Sequence, residues 1–135
     1  MDEAVQALLA AKTIAVVGLD AREYRTAHRI ANYLQRAGYR IIPVPLQEPA
    51  SEVLGERAYA SLRDIPEHID LVDVFVRSEQ TGPVIDDAIA AGVGAIWLQQ
   101  GIRNDEGLAR ARAAGITATQ DRCTMVEHRM SDAAG

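Results

Sequence analysis

The chain has 135 residues, 48% of them hydrophobic and 24% charged, with a formal net charge of -5. That length suits a single domain able to bury its own core without staples, and the acidic balance excludes a general nucleic-acid-binding surface, which needs a basic face for phosphate contacts. The lone Cys123 excludes an intramolecular disulfide, and His28, His68 and His128 are spaced too widely for a zinc site. The acidic start Met1-Asp2-Glu3 is unlike a signal peptide, and no apolar run approaches the ~18 residues of a membrane span. The expected setting is a reducing cytoplasm with no membrane partner.

In chain order, Asp2 to Ala11 reads as a short amphipathic helix with Val5, Leu8 and Leu9 on its apolar face, and Thr13 to Val17 as a fully buried strand. Thr26 to Ala37 follows as a helix with Ile30, Tyr33, Leu34 and Ala37 on one face, stopped by Gly38. Tyr39 to Val44 is the second strand. Pro43, Pro45 and Pro49 then break regular structure, leaving a connection with a short strand near Val53 to Leu54 and a one-turn helix from Ala60 to Pro66.

Leu71 to Val76 is the third main strand, and Gln80 to Ala91 a helix stopped at Gly92. Ala95 to Leu98 is the fourth strand. Asn104 to Ala114 is a helix with Asn104 as its cap and Glu106 favouring its dipole, ended by Gly115, and Ile116 to Thr119 is the fifth strand. Residues 1–130 form the expected domain, and 131–135 a disordered tail.

Continuously apolar strands imply burial on both faces, and right-handed crossovers through helices give a three-layer α/β, doubly wound, mostly parallel five-stranded sheet of Rossmann type. Ligands of such sheets lie at the carboxyl ends of the strands where the strand order reverses. That rule directs attention to Gly18 through Arg25, Val44 to Leu46, Val76-Arg77-Ser78, Gln99-Gln100-Gly101 and Asp121-Arg122-Cys123. Gly18 lets backbone approach a phosphate, the helix opening at Thr26 adds partial positive charge, and Arg22 and Arg25 supply forked donors. Arg77 projects from the third strand's end, with an ion pair to Glu79 or Asp73 as its alternative. Gly101 serves either as a ligand-facing glycine or as a turn. The G-x-G-x-x-G dinucleotide signature is absent, because Asp20 and Glu23 stand where glycines would be.

At these residues the chain resembles the small stand-alone CoA-binding proteins, whose Rossmann-like domain is similar to the nucleotide-binding domain of the succinyl-CoA synthetase alpha subunit. The resemblance runs from Ala11 to His128. It rests on Ile14-Ala15-Val16-Val17-Gly18-Leu19, Arg25, Ala31-Asn32-Tyr33-Leu34 and Gly38-Tyr39-Arg40-Ile41-Ile42-Pro43-Val44, then on Leu54-Gly55-Glu56, Val72-Asp73-Val74-Phe75, Arg77-Ser78-Glu79, Trp97-Leu98-Gln99, Asp121-Arg122-Cys123 and Glu127-His128. It implies a site for coenzyme A or an acyl-CoA: the nucleotide end against the Gly18 loop and the second strand's end, the rest running past the turns after the third and fourth strands. The cofactor-binding residues on this reading are Gly18, Leu19, Asp20, Arg22, Arg25, Pro45, Val76, Arg77, Gln100 and Gly101, with no catalytic or metal-binding residue.

Two departures from the family's pattern stand inside that set. Asp20 replaces a serine, and Val44-Pro45-Leu46 replaces Val-Asn-Pro, so a hydroxyl donor and an amide are missing. A carboxylate beside a diphosphate repels it unless an arginine neutralises the charge, and proline removes a backbone donor. Competing readings are an NAD(P)-type binder or redox sensor, for which the second strand ends without the acidic residue that would hold a ribose, and a cysteine enzyme using Cys123 with His128 oriented by Glu127 or Asp121. A regulatory protein, a homo-oligomer or a partner of a separate catalytic subunit also fits a chain with room for a nucleotide domain alone.

Overall fold

A computed structural model describes residues 2–46 and 48–131. Helix α1 (Glu3–Ala10) leads into strand β1 (Thr13–Val17), helix α2 (Thr26–Arg36) and strand β2 (Arg40–Val44). A two-residue strand pair, β3 (Glu52–Val53) and β4 (Glu56–Arg57), precedes a single 3-10 turn at Leu62–Asp64 and strand β5 (Leu71–Val74). A second 3-10 turn at Ser78–Gln80 opens into α3 (Thr81–Ala91), followed by β6 (Ala95–Leu98), α4 (Asp105–Ala113), β7 (Thr117–Thr119) and α5 (Thr124–Arg129).

The main sheet is five-stranded and parallel throughout, in the order β2-β1-β5-β6-β7, so the expected doubly wound α/β fold is present. Alternation along the strands sorts the core into two layers. Ile14 and Val16 face α1 and α2 together with Leu8, Ile30, Ala31 and Leu34, whereas Ala15 and Val17 join Val72, Val74, Ile85, Leu108 and Ala111 on the face covered by α3 and α4. Each such Leu or Ile, withdrawn from water, stabilises the fold by about 1.5 to 3 kcal/mol. That burial makes α2 a helix in spite of its weak start.

Strand order reverses between β1 and β5, because the chain crosses outward to β2 and then returns to the other side of β1. The crevice at the carboxyl ends of these two strands is where a doubly wound sheet receives its ligand.

Some boundaries differ from the sequence reading. Tyr39 lies outside β2 and spends its hydroxyl on the Leu8 carbonyl, 2.8 Å away. Ala37 caps α2 from an exposed position instead of joining its buried face, since the helix ends one residue earlier. β5 stops at Val74, so Val76 belongs to the loop, and Ile116 precedes β7. Leu54 is not in a strand: with Gly55 it makes a two-residue hairpin turn in which both residues have positive φ, 55° and 74°. α5 has no counterpart in the sequence reading, because six residues with only Thr124 and His128 buried present no legible period. Of the expected tail, Ser131 is described and 132–135 lie outside the described residues.

Candidate functional site

At the switch point β1 ends in Gly18, whose φ is +96° and whose N–H donates to the Val44 carbonyl at 2.9 Å. A β-carbon there would stand 2.6 Å from the carbonyl oxygen of Phe75. The glycine is therefore required by the close passage of the β5 exit, whatever else it does. Leu19 is fully buried in the α1–α2 layer and Pro45 is buried beside β2.

Asp20 is 3% exposed and accepts three bonds from Arg22: the backbone N–H at 3.0 Å, Nε at 3.0 Å and Nη2 at 2.6 Å. The forked guanidinium holds the Asp20 carboxyl below its ordinary range against the opposing effect of burial, and the carboxylate raises Arg22 in return. Asp20 is thus neutralised from within the loop. Arg22 is committed to that task and is not a free donor.

The expected consequence of Arg22→Ala is a buried, unpaired carboxylate and a lower urea midpoint at neutral pH. Asp20 has its native pKa depressed, so the stability it contributes is present above about pH 4, its ordinary range, and is lost as the pH falls through the lower native value. The gap between variant and wild type should therefore close in acid, and urea unfolding at neutral pH and below about pH 3 checks it.

A cleft of about 380 Å3 opens beside this loop, within the range of small-molecule sites. One wall is the start of α2, through Arg25, Thr26, Ala27, Arg29 and Ile30; the other comes from the turns after β5, β6 and β7, through Phe75, Gln99, Gln100, Ile102 and Cys123. Electrostatics on the α2 side are one-signed. Arg25 is the cap residue and makes no side-chain capping bond, and the first turn holds no acid. α1 and α4 begin differently, with Asp2 accepting from the Val5 N–H and Asn104 from the Gly107 N–H, and with acidic first turns.

Neither Arg25 nor Arg29 forms an ion pair among the described residues, whereas Arg22, Arg40, Arg63, Arg77, Arg103, Arg110 and Arg122 all do. Two arginines four residues apart repel, and both repel the positive end of the helix dipole. An anion in the cleft removes all three penalties.

A second, shallower recess of about 370 Å3 holds Val76, Arg77 and Gly101 and shares Phe75 and Ile102 with the first. Arg77 is 73% exposed and lies 3.7 Å from Glu79, the surface pairing that was its alternative; Asp73 is not its partner. The Gly101 N–H donates to Asp121 at 2.7 Å, and its φ is +85°. Of the ten expected residues, Arg25 and Gln100 thus line the first cleft and Val76, Arg77 and Gly101 the second. Gly18, Leu19, Asp20, Arg22 and Pro45 line neither and build the loop and strand ends beneath them.

Several lining residues escaped the sequence reading. Arg29 is not among the ten expected residues, although its i,i+4 relation to Arg25 places it on the same helix face. Phe75 and Ile102 each flank an expected strand-end segment by one position, whereas Gln99 lies inside one but was left out of the binding set.

Under the cleft sits a buried polar cluster. Asp73, fully buried on β5, accepts from Gln99 Nε2 at 2.7 Å and from Thr124 Oγ1 at 2.9 Å, and Gln99 Nε2 also donates to Thr124 Oγ1 at 2.7 Å. Burial pushes the Asp73 carboxyl up to about 7, and the two donors only partly offset it. A carboxyl with a raised native pKa contributes stability that is complete below its ordinary pKa and is lost as the pH rises through about 7. The stability of Asp73→Asn relative to wild type should therefore rise between about pH 5 and pH 8, as urea unfolding at the two pH values would show.

The cysteine-enzyme alternative finds little geometry here. Cys123 caps α5 and lines the cleft, while His128 is buried at the other end of that helix, its Nδ1 2.7 Å from the Tyr33 hydroxyl and its ring edge-on to Tyr33 and Tyr39. Among the described residues there is no group of three or more His, Cys, Asp and Glu able to hold a metal, and no helix is long and apolar enough to cross a membrane.

Comparison with known families decides the lineage: residues 12–129 match the model of a CoA binding domain. The chain belongs to this CoA-binding domain family. An uncharacterized Bacillus subtilis protein, YneT, is 40% identical over 126 residues, covering 93% of this chain and 92% of that protein. Among solved structures, the domain is similar to a Thermus thermophilus protein, cell-free ID.343, with 40% identity, a TM-score of 0.89, and coverage of 96% of this chain and 98% of that one. The dinucleotide-forming acetyl-coenzyme A synthetase 1 of Ca. Korarchaeum cryptofilum, in complex with phosphate and ADP, contains a similar domain: 25% identity, TM-score 0.72, 82% of this chain but 26% of the synthetase.

Proposed function

We propose that this domain binds coenzyme A or an acyl-CoA in the cleft at the β1–β5 switch point, without chemistry of its own. The observation that carries the reading is the start of α2: a helix N-terminus without a side-chain cap, lining a cleft with two arginines, Arg25 and Arg29, that form no ion pair among the described residues, in a chain whose overall charge is negative. Such a place is unfavourable when empty and suits a phosphate-bearing ligand. The nucleotide phosphates meet Arg25, Arg29 and the α2 amides. The arm runs on past Gln100, then Val76, Arg77 and Gly101.

The two departures from the family's pattern are compatible with this reading. Asp20 is neutralised by Arg22, and neither Asp20 nor Pro45 lines either recess. The lone cysteine supports a reducing, cytoplasmic setting. That the similar region is a quarter of the Korarchaeum chain supports a role beside a separate catalytic partner.

Titration calorimetry with CoA and acetyl-CoA, with NAD, NADPH and ATP on the same preparation, tests the proposal. Micromolar CoA binding unmatched by the other nucleotides is expected. A preference for NAD(P) or no binding to any of the five would overturn it.

A further inference from the structure

The Asp73 cluster constrains the cleft in a way that burial alone would not. While Asp73 is ionised, above about pH 7, its carboxylate is acceptor-only and Gln99 must turn its amide nitrogen toward it. Both amide hydrogens are then spent, one on Asp73 Oδ1 and one on Thr124 Oγ1, and the Thr124 hydroxyl hydrogen goes to Asp73 Oδ2. Rotating the amide by half a turn would aim its carbonyl at the carboxylate. The orientation is dictated by chemistry.

The opposite end of that amide is Gln99 Oε1, which accepts no hydrogen bond among the described residues. No fully buried side-chain nitrogen or oxygen among them lacks a partner, and Gln99 lines the cleft while being 4% exposed, so Oε1 opens onto the cleft. The lining of that cleft includes Phe75, Ile102 and Cys123, and no donor among its residues bonds Oε1. A ligand placing a donor there satisfies it, and one that covers it with an apolar group leaves a buried acceptor unpaired.

We propose that Asp73 is a positioning residue that fixes Gln99 as a hydrogen-bond acceptor, and that Gln99 selects a ligand carrying an N–H donor on its arm beyond the nucleotide. The inference rests on the CoA reading above. The arm of CoA carries two secondary amides, whereas its nucleotide fragment, adenosine 3′,5′-bisphosphate, keeps the adenine, the 3′-phosphate and the first 5′-phosphate and lacks the second 5′-phosphate and both amides. The two ligands therefore separate the acceptor role from a purely structural one.

Gln99→Met keeps the bulk and removes the acceptor. CoA affinity is expected to fall roughly tenfold while affinity for the fragment stays unchanged, the scale of one hydrogen bond with a buried partner left unmet. Equal weakening of both ligands, or no change for CoA, would sink the proposal. Because Gln99→Met also strips Asp73 of a donor, circular dichroism is to confirm its fold, and the pH dependence of the wild type supplies a second measurement.

Gln99 and Thr124 are the polar side chains bonded to Asp73, and no charged group contributes to its titration. Protonated, Asp73 becomes a donor and lets the Gln99 amide turn over. The ratio of CoA to fragment affinity is expected to drop further between about pH 8 and pH 5.5 in wild type than in Asp73→Asn, which retains the fragment 5′-phosphate's own titration at about pH 6 and nothing from Asp73. An equal change in the two proteins would overturn the proposal. Wild-type protein that binds neither ligand would remove the CoA reading itself, whereas binding of both with no response to Gln99 or to Asp73 removes only this inference.

Discussion

Gly18→Ala is expected to destabilise the protein by about 2 to 5 kcal/mol, the sum of a left-handed backbone conformation forced on a residue with a side chain and of a steric clash that cannot be relieved cheaply. The φ of +96° is the first part. The second is the 2.6 Å approach of the new β-carbon to the Phe75 carbonyl oxygen, which is backbone at the exit of the central strand β5 and not the end of a flexible side chain. Relief would mean parting β1 from β5, yet Phe75 N–H donates to Val17 carbonyl at 2.9 Å on the same junction.

Urea unfolding with an unchanged slope would measure the loss directly. The experiment also divides two roles for this glycine. A strongly destabilised variant assigns Gly18 to the meeting of β1 with β5, while a stable variant that has lost CoA would assign it to the ligand. A loss below about 1 kcal/mol would mean that the junction yields more easily than its geometry implies.

The largest effect on binding is expected from the start of α2. Reversing the charge of Arg25 or Arg29 to glutamate should weaken CoA by about 1.5 to 3 kcal/mol for each residue that meets a phosphate, the scale of a charged hydrogen bond. The double variant Arg25→Glu, Arg29→Glu should abolish detectable binding. Stability should move the other way. Glutamates at a helix N-terminus complement the dipole, while the repulsion between the two arginines is exchanged for one between two glutamates, so a melting temperature equal to or slightly above that of wild type is expected.

This opposition between stability and affinity is the signature of a surface shaped for an anion. Calorimetry and thermal unfolding on one preparation would reveal it. If both properties fell together the arginines would be structural, and if CoA bound as before the phosphates would lie elsewhere.

Much of the architecture was legible in the chain itself because the signals are local. Thr13–Val17 and Ala95–Leu98 are short, continuously apolar runs bounded by turn residues, and both emerge with the expected limits. The glycines at 18, 38, 92 and 115 marked where elements end, and all four adopt positive φ. From the alternation of these elements follow the parallel sheet, its reversal of strand order and the edge at which a ligand belongs. The family, too, was written in local motifs.

Which side chains line the cleft, and which charges are already paired, depended on what folding buries and brings together. Arg22 and Arg25 look alike in sequence, but only folding buries Asp20 where it claims Arg22 and leaves Arg25 without an ion pair among the described residues. Gly18 was expected to make room for a phosphate, and the fold adds a demand of its own, because the backbone of Phe75, 57 positions on, leaves no space for a β-carbon there. Asp73, Gln99 and Thr124 come together only when β5, β6 and α5 pack, and α5 itself is too short to announce its period. Sequence by itself therefore determined the elements, the sheet and the edge where a ligand would sit, because propensity and periodicity act over a few residues. Tertiary structure alone decided which charges are spent and which remain for a ligand, because hydrogen bonds and desolvation are settled by whatever the fold brings within about 3 Å.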